Sequence, residues 1–114
     1  MKTSKYKSKK TEIEGIFFDS KKEAERYKEL KEKCEKGQIL SLKRQVKYIL
    51  QPSYKLNGKT VREISYLADF EYIEDGKIIV EDVKSKFTAK DKVYTIKKKM
   101  LLYKYKNIEF REII

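Results

Sequence analysis

Hydrophobic and polar residues alternate most regularly over positions 66–84, and Asp75-Gly76 interrupts the alternation once. A period of two is typical of half-buried strands, and Asp-Gly between two such runs favours a tight hairpin turn. The pattern therefore predicts two antiparallel strands, at about 60–73 and 77–84. Three consecutive apolar residues at 78–80 indicate that the second strand is buried on both faces, as a central strand is.

A helical period precedes this hairpin. Ser20 followed by Glu23 is a capping-box pattern, which predicts a helix that begins there, runs to about Lys36 and ends at Gly37. The apolar residues of this segment recur on one helical face, which we expect to be buried. They are Ala24, Tyr27, Leu30 and Cys34.

A second helical period follows the hairpin. Thr88, with Asp91 three residues later, predicts a helix start, and the helix is expected to extend to about Tyr105. Lysines occupy the outer faces. The expected buried stripe consists of Val93, Ile96, Met100 and Tyr103, with Leu101 beside it.

The remaining segments predict shorter elements. Residues 11–19 form an extended segment with a bend at Gly15, and 42–50 form a strand that Pro52 ends. Residues 53–59 are predicted as a loop with a turn at Asn57-Gly58, residues 85–89 as a second loop, and residues 108–113 as a last strand.

The order of elements is helix, three-stranded meander, helix, strand. This order predicts an α/β fold (a mixed α+β sheet) in which a central four-stranded sheet is flanked by two helices. The strand–helix–strand unit at the end places the last strand parallel to the third. We expect one domain over residues 11–114, preceded by a basic flexible tail at 1–10 that is a candidate arm for DNA phosphates.

Composition narrows the classes of function. The chain has 114 residues, 41% of them charged, and a formal net charge of +11, which favours a polyanionic partner, with nucleic acid first and an acidic membrane surface second. No apolar run is long enough to span a bilayer, and no signal-peptide core follows the basic N-terminus, so a cytoplasmic location is expected. With no His and a single Cys34, an intrachain disulfide, an ordinary zinc site and a histidine base are excluded.

Three residues of the central hairpin are candidates for chemistry. Asp82 and Lys84 lie two apart on one face of the second strand, and Asp69 lies across from them on the first. Two carboxylates can hold Mg²⁺ or Mn²⁺, and the lysine can position a water and stabilise developing negative charge. The alternative is an exposed carboxylate at Asp69 and a surface ion pair between Asp82 and Lys84.

Three further glutamates lie near these residues, and one of them is a candidate for the site. Glu23 at the edge of the first helix's buried face is a candidate third carboxylate, although a helix cap explains its position equally well. Glu81 points to the face opposite Asp82 and ranks below it. Glu71 lies near the turn and is expected to be solvated.

These residues resemble the PD-(D/E)XK nuclease motif, with Asp69 followed by Asp82-Val83-Lys84 on the next strand and Glu23 on the first helix. The chain is also similar to small phage and prophage endonucleases of that superfamily over nearly all of 11–113. Ala68 stands where the superfamily often has proline, and Ser85 stands where many relatives have glycine. The shared segments are Gly15-Ile-Phe-Phe-Asp-Ser20, Glu23-Ala24-Glu25, Leu42-Lys-Arg-Gln45, Ala68-Asp69-Phe70 and Glu81-Asp82-Val83-Lys84.

The resemblance implies a restriction-endonuclease-like α-β-β-β-α-β core and Mg²⁺-dependent cleavage of DNA, as in Holliday-junction resolvases that act in phage recombination or replication. It implies catalytic roles for Lys84, Asp82, Asp69 and Glu23, and places Gln45 near the site. A non-catalytic, basic nucleic-acid-binding module is the competing hypothesis.

Other contacts with DNA are expected from lysines. Lys43 shares a strand face with Gln45, and Lys97 and Lys98 begin a basic run on the second helix. For all four residues, an ordinary solvated surface position is the alternative. The number of subunits is open, because paired cuts favour a symmetric homodimer whereas single nicks need only a monomer.

Overall fold

A computed structural model describes residues 11–114; the predicted basic tail at 1–10 lies outside the described residues. Over these residues, two α-helices, α1 (Lys21–Glu35) and α2 (Lys92–Lys104), are joined to the strands by short connections, and one 3-10 turn covers Thr88–Lys90. Within residues 11–114, neither helix has the length and apolarity that crossing a bilayer requires. The strands are β1 (Thr11–Ile13), β2 (Ile16–Phe18), β3 (Leu40–Gln51), β4 (Tyr54–Leu56), β5 (Lys59–Val61), β6 (Ile64–Glu74), β7 (Lys77–Val83) and β8 (Ile108–Ile113).

The main sheet has four strands in the order β3-β6-β7-β8. β3, β6 and β7 form an antiparallel meander, and β8 returns through α2 to lie parallel to β7. The predicted mixed α/β fold and the predicted direction of the last strand are confirmed. β7 has a partner strand on each side, which makes it an interior strand of the sheet.

Each face of the sheet carries one helix and one hydrophobic cluster. In β7, Ile79 belongs to the cluster under α1 and Val80 to the cluster under α2, which confirms burial on both faces. The α1 stripe is buried as predicted, with Cys34 half-buried at its edge. The α1 cluster comprises Phe18, Ala24, Tyr27, Leu30, Ile39, Phe70, Tyr72 and Ile79, and the α2 cluster comprises Tyr48, Leu50, Tyr66, Ala68, Val80, Tyr94 and Leu101.

Strand β6 changes face at Asp69. In a regular strand all even-numbered residues lie on one side. Here Ala68 belongs to the α2 cluster whereas Phe70 belongs to the α1 cluster. On the neighbouring strand, Gln45 lies between the partners of these two residues and has a left-handed φ of 50°. Asp69 therefore lies where the strand crosses from one layer of the molecule to the other.

The start of α2 differs from the prediction. Asp91, rather than Thr88, caps the helix by accepting a hydrogen bond from the Tyr94 N–H at 2.9 Å. Thr88 instead bonds to Ser85 within the preceding loop. Asp91 was predicted as a residue of the first helical turn, and both positions carry residues that cap helices well, so spacing alone favoured the wrong one.

The predicted buried stripe of α2 is wrong at three of its four positions, whereas Met100 packs half-buried against the α2 cluster as predicted. Val93, Ile96 and Tyr103 are 60%, 57% and 77% exposed, whereas Tyr94 and Leu101 are buried. The Tyr94 hydroxyl donates to Glu112 on β8, so this side chain can bury its ring without leaving a polar atom unpaired. A tyrosine bonded to the half-buried Glu112 therefore lies on the buried face of α2 in place of a purely apolar stripe.

The segment predicted as a loop and the extended segment at residues 11–19 are both small hairpins. β4 and β5 pair around Asn57-Gly58, whose φ values of 51° and 79° are those of a primed turn. The predicted loop over 53–59 is therefore wrong, and the long strand predicted from 60 is divided, since β6 begins at Ile64. β1 and β2 likewise pair around Gly15, at the predicted bend.

Candidate metal centre

A cleft of about 410 Å³ opens between the start of α1, the point where β6 changes face and the loop after β7. Three of the four predicted catalytic residues line it: Glu23, Asp69 and Lys84. The fourth, Asp82, is 2% exposed and is hydrogen-bonded to Asp69. The remaining lining residues are Asp19, Ser20, Lys22, Val83, Ser85 and Thr88.

Asp69 and Asp82 hold β6 and β7 together where the backbone pairing ends. The last paired residues are Phe70 and Glu81. Beyond them, Asp82 Oδ1 accepts the Asp69 N–H at 3.2 Å, and Asp69 Oδ2 accepts the Val83 N–H at 2.8 Å. The Asp82 carboxylate is therefore held against the Asp69 backbone, and the Asp69 carboxylate against the Val83 backbone, on adjacent strands. The interpretations as an exposed carboxylate and a surface ion pair are both wrong.

Burial dominates the acidity of Asp82. The Tyr66 hydroxyl donates to its other carboxylate oxygen. Burial raises the pKa of Asp82 to about 6, since it outweighs the opposing effects of the Lys84 ammonium and the Asp69 N–H bond, and Glu112 raises it further. Asp82 is thus a carboxylate kept in a largely dry site, with one oxygen bonded to a phenol and the other to the backbone.

Glu23 uses its backbone and its side chain for different purposes. Its N–H donates to Ser20 Oγ at 3.1 Å, so Ser20 caps α1 as predicted. Its carboxylate, however, accepts from Gln45 Nε2 at 3.3 Å. Among residues 11–114 no hydrogen bond returns from the Ser20 N–H to this carboxylate, so the capping interpretation accounts for the position of Glu23 but not for the direction of its side chain.

The cleft carries more negative charge than its cations offset. Burial, and then the charges of Asp69 and Asp19, raise the pKa of Glu23 to about 7, against a smaller lowering by Arg44. Burial also raises the pKa of Asp69, although the Val83 N–H, Lys84 and Gln45 each lower it. A divalent cation among these carboxylates would remove this repulsion, which is the sense in which the donor set fits a metal.

The oxygen donors near this cleft form only part of a metal-binding site. Within the described residues, no three His, Cys, Asp or Glu side chains converge closely enough to form a complete metal-binding group. The candidate donors are Asp69 and Glu23, which line the cleft, and Asp82, whose carboxylate accepts the Asp69 N–H. All three donors are oxygens, which suits Mg²⁺ or Mn²⁺ rather than zinc.

Lys84 is held by an aromatic ring. Its ammonium lies 4.5 Å from the centroid of the Tyr94 ring, within the range of a cation–π contact. From there its charge lowers the pKa of both Asp69 and Asp82. The backbone of Lys84 is also fixed, because its N–H donates to Ile113 O at 2.8 Å and its carbonyl accepts from Lys22 Nζ at 3.2 Å.

Sequence reasoning missed three residues that support this site. Tyr66 donates to Asp82, Tyr94 supports Lys84, and Glu112 accepts from Tyr94. Glu112 lies next to Asp82 in the parallel register of β7 and β8. The predicted parallel pairing of the last two strands was the available signal for Glu112, but the pattern of residues does not specify which residues lie side by side. The position of Tyr94 was missed because the buried face of α2 was predicted wrongly.

The predicted DNA-binding residues divide into two groups. Gln45 bonds to Glu23 at the cleft, whereas none of the three lysines lines it. Lys43 is exposed, with its ammonium 3.7 Å from Glu71. Lys98 is half-buried and pairs with Glu112 at 3.4 Å, and Lys97 is half-buried beside it on α2.

Two neighbouring glutamates of the hairpin are structural. Glu81 faces α1, opposite Asp82, where Arg26 donates to both carboxylate oxygens at 2.9 and 2.6 Å and the Tyr72 hydroxyl donates as well. Glu71 is not solvated as expected, because the Tyr48 hydroxyl donates to it. Neither residue belongs to the cleft.

Residues 3–114 match the DUF1064 family, described as "Protein of unknown function (DUF1064)". Since the match covers nearly the whole chain, the chain belongs to this family. No curated protein and no solved structure shows a significant match.

Proposed function

We propose that this DUF1064 protein is a metal-dependent deoxyribonuclease related to the PD-(D/E)XK superfamily. The observation that carries the proposal is the hydrogen bond from the Asp69 N–H to the Asp82 carboxylate on the adjacent strand, beside a cleft that Asp69, Glu23 and Lys84 line. The order α1-β3-β6-β7-α2-β8 supports it, because it follows the α-β-β-β-α-β core of that superfamily once the two small hairpins are set aside.

Asp69 and Asp82 would hold the Mg²⁺ or Mn²⁺ ion, with Glu23 as an additional carboxylate. A bound ion of this kind supplies charge neutralisation at the phosphorus and a more acidic water. Both aspartates retain lone pairs for a cation, since each of their hydrogen bonds occupies only one acceptor position of a carboxylate oxygen.

The other residues of the cleft have separable tasks. Lys84, anchored over Tyr94, presents a fixed positive charge where negative charge develops on the phosphate. Gln45 keeps the Glu23 carboxylate directed into the cleft. Lys22 at the cleft rim and the net charge of +11 attract the DNA backbone.

The substrate and setting rest on the resemblance described above. Cleavage of branched or junction DNA in phage recombination or replication, within the bacterial host cytoplasm, is the role we propose. A junction resolvase would act as a homodimer, because two opposed cuts call for two sites related by symmetry.

Cleavage assays test this function directly. Purified protein with Mg²⁺ or Mn²⁺ is mixed with a four-way junction, linear duplex and single-stranded DNA, and we expect strand cleavage of at least the junction. Asp82→Asn keeps the hydrogen-bonding oxygen but removes the charge, so it should abolish cleavage while DNA binding persists. Glu74→Gln, at the far end of the same hairpin, is the matched control and should still cleave. A wild-type protein that cuts none of the substrates with either metal contradicts the proposal.

One observation favours a second candidate, a non-catalytic nucleic-acid-binding module. Asp69 and Asp82 already bond to backbone N–H groups between β6 and β7, so they have a structural role without a metal. This candidate predicts salt-sensitive DNA binding that Mg²⁺ does not change, and no cleavage. Equal binding by wild type and Asp82→Asn, with and without Mg²⁺, and no cut strands would favour it.

A further inference from the structure

Phe87 is an exposed aromatic side chain that no aromatic or hydrophobic-cluster contact within residues 11–114 explains. At 86% exposure it is the most exposed of the large hydrophobic residues described. It precedes Thr88 and follows Ser85 by two residues, and both of these line the cleft. An aromatic ring of this size left in water at the rim of a polar cleft favours a role in contacting a ligand.

The loop that carries Phe87 is tightly bonded. Ser85 N–H donates to Thr88 Oγ1 at 2.8 Å, and Thr88 N–H donates to Ser85 Oγ at 3.0 Å. Ala89 N–H closes the same turn on Ser85 O at 2.9 Å. These reciprocal bonds hold the backbone on both sides of Phe87, so the ring projects from a fixed support.

The surroundings of Phe87 are basic. Lys86 and Lys90 are exposed on the same loop, and Lys84 enters the cleft just before it. Exposed lysines next to an exposed aromatic ring match a nucleic acid, whose phosphates take the charges and whose bases stack on the ring. The same charges disfavour a second copy of this loop as the partner, because like charges would meet.

We infer that Phe87 stacks on an unpaired or unstacked base of DNA next to the cleft, and so makes the protein prefer DNA with unpaired bases over perfect duplex. This inference rests on the proposed function, which puts DNA in the cleft, and it adds the residue that would distinguish unpaired bases from perfect duplex. A perfect duplex keeps its bases stacked on one another, so the ring gains less from it than from a branch or a splayed end.

Binding without cleavage tests this inference. In EDTA, the affinities of the full chain for a fluorescein-labelled splayed duplex and for a perfect duplex of the same length are measured by anisotropy. We expect wild type to prefer the splayed DNA by about tenfold or more, since stacking of one base is worth about that much. Phe87→Ala should bring the ratio close to one, and Phe87→Trp should keep it.

Tyr103→Ala is the matched control. Tyr103 is 77% exposed and lies on α2, roughly 16 Å along the helix from its first residue, so its removal should leave the ratio unchanged. Three results overturn the inference: a wild-type ratio near one, an unchanged ratio in Phe87→Ala, or a change from dimer to monomer in Phe87→Ala by sedimentation. Because no cut is required, a failure of cleavage by the wild type counts against the proposed nuclease alone.

Discussion

At the scale of single residues, the cleft is defined by carboxylates whose charge is poorly compensated. The pKa of Glu23 is raised to about 7 and that of Asp82 to about 6, chiefly by burial. A protein rarely keeps such groups buried without a partner, because ionising them costs stability. The presence of these buried carboxylates near Lys84 is the reason to expect a bound cation there.

The cost of ionising the buried Glu23 carboxyl predicts how the stability of the protein depends on pH. The folded state binds the Glu23 proton more tightly than the unfolded chain does, since the pKa rises from 4.5 to about 7. The resulting stabilisation is complete below about pH 4.5 and is lost as pH rises through about 7. In EDTA, the free energy of unfolding should therefore fall by roughly 1–3 kcal/mol between about pH 5 and 8.

Urea unfolding at several pH values measures this effect. Glu23→Gln removes the titration and should be more stable than wild type near pH 8, with a flatter pH profile; Asp82 keeps a smaller slope of the same sign. Parallel profiles for wild type and Glu23→Gln would show that Glu23 is not held in the environment described.

The contact between Lys84 and Tyr94 predicts an effect on rate. Tyr94→Phe keeps the ring beneath the ammonium and loses only the bond to Glu112, whereas Tyr94→Leu removes the ring. We expect single-turnover cleavage to slow by about tenfold in Tyr94→Leu and by less than about threefold in Tyr94→Phe, given the usual strength of a cation–π contact. Equal rates in the two variants, at equal thermal stability, would exclude this role for the ring.

At the scale of elements, the site depends on how α1 is attached to the sheet. Arg26 on α1 bonds to Glu81 on β7, one residue from Asp82, while Glu23 one turn earlier faces the cleft. The same helix thus contributes the cation that pairs with the fully buried Glu81 carboxylate and one candidate catalytic carboxylate. The strong raising of the pKa of Arg26 by its bond to Glu81 is consistent with a close pair.

Breaking this pair on one side predicts a large loss of stability. Arg26→Met leaves the Glu81 carboxylate buried without its cation, which should lower the free energy of unfolding by about 3–5 kcal/mol. The double variant with Glu81→Gln removes the stranded charge and should recover part of that loss. Urea unfolding of the three proteins measures both steps, and a single variant as stable as wild type would contradict the described pairing.

Elements were predictable where a local signal determines them. Ser20 and Gly37 delimit α1, and Asp75-Gly76 determines the central turn, because capping and primed turns are properties of a few adjacent residues. The buried face of α2 was not predictable, since it depends on Glu112 on a distant strand accepting from Tyr94. Local pattern favoured Val93 and Ile96, and tertiary contacts decided otherwise.

At the scale of the whole molecule, the site was likewise predicted from the sequence only in part. The placement of Asp69, Asp82, Lys84 and Glu23 near one another was expected from the order of elements, and three of the four line one cleft. The change of face at Asp69 was not expected, because strict alternation keeps every second residue of a strand on the same face of the sheet. The DNA-binding lysines were the weakest part of the prediction. Net charge does not show which lysines pair with a residue of the protein itself, as Lys98 does with Glu112.

The distribution of positive charge predicts how DNA binding depends on salt. Lys86 is exposed on the loop at the cleft rim, whereas Lys98 packs on Tyr94 and Phe110 and pairs with Glu112. Lys86→Gln should reduce the slope of log affinity against log salt by about one, and Lys98→Gln should reduce it by much less. Salt titrations of duplex binding measure both slopes, and a Lys98→Gln effect as large as that of Lys86→Gln would contradict this assignment.

Metal binding by Asp69 and Asp82 is the step on which the proposed activity depends. The most direct measurement is a Mn²⁺ titration at about pH 8 of wild type, Asp69→Asn and Asp82→Asn, followed by the electron paramagnetic resonance signal of free Mn²⁺. Each substitution keeps an oxygen for the backbone hydrogen bond but removes a charged ligand. We predict binding to the wild type that weakens at least about tenfold in each variant. No binding to the wild type, or equal binding to all three proteins, would contradict a metal centre at this cleft.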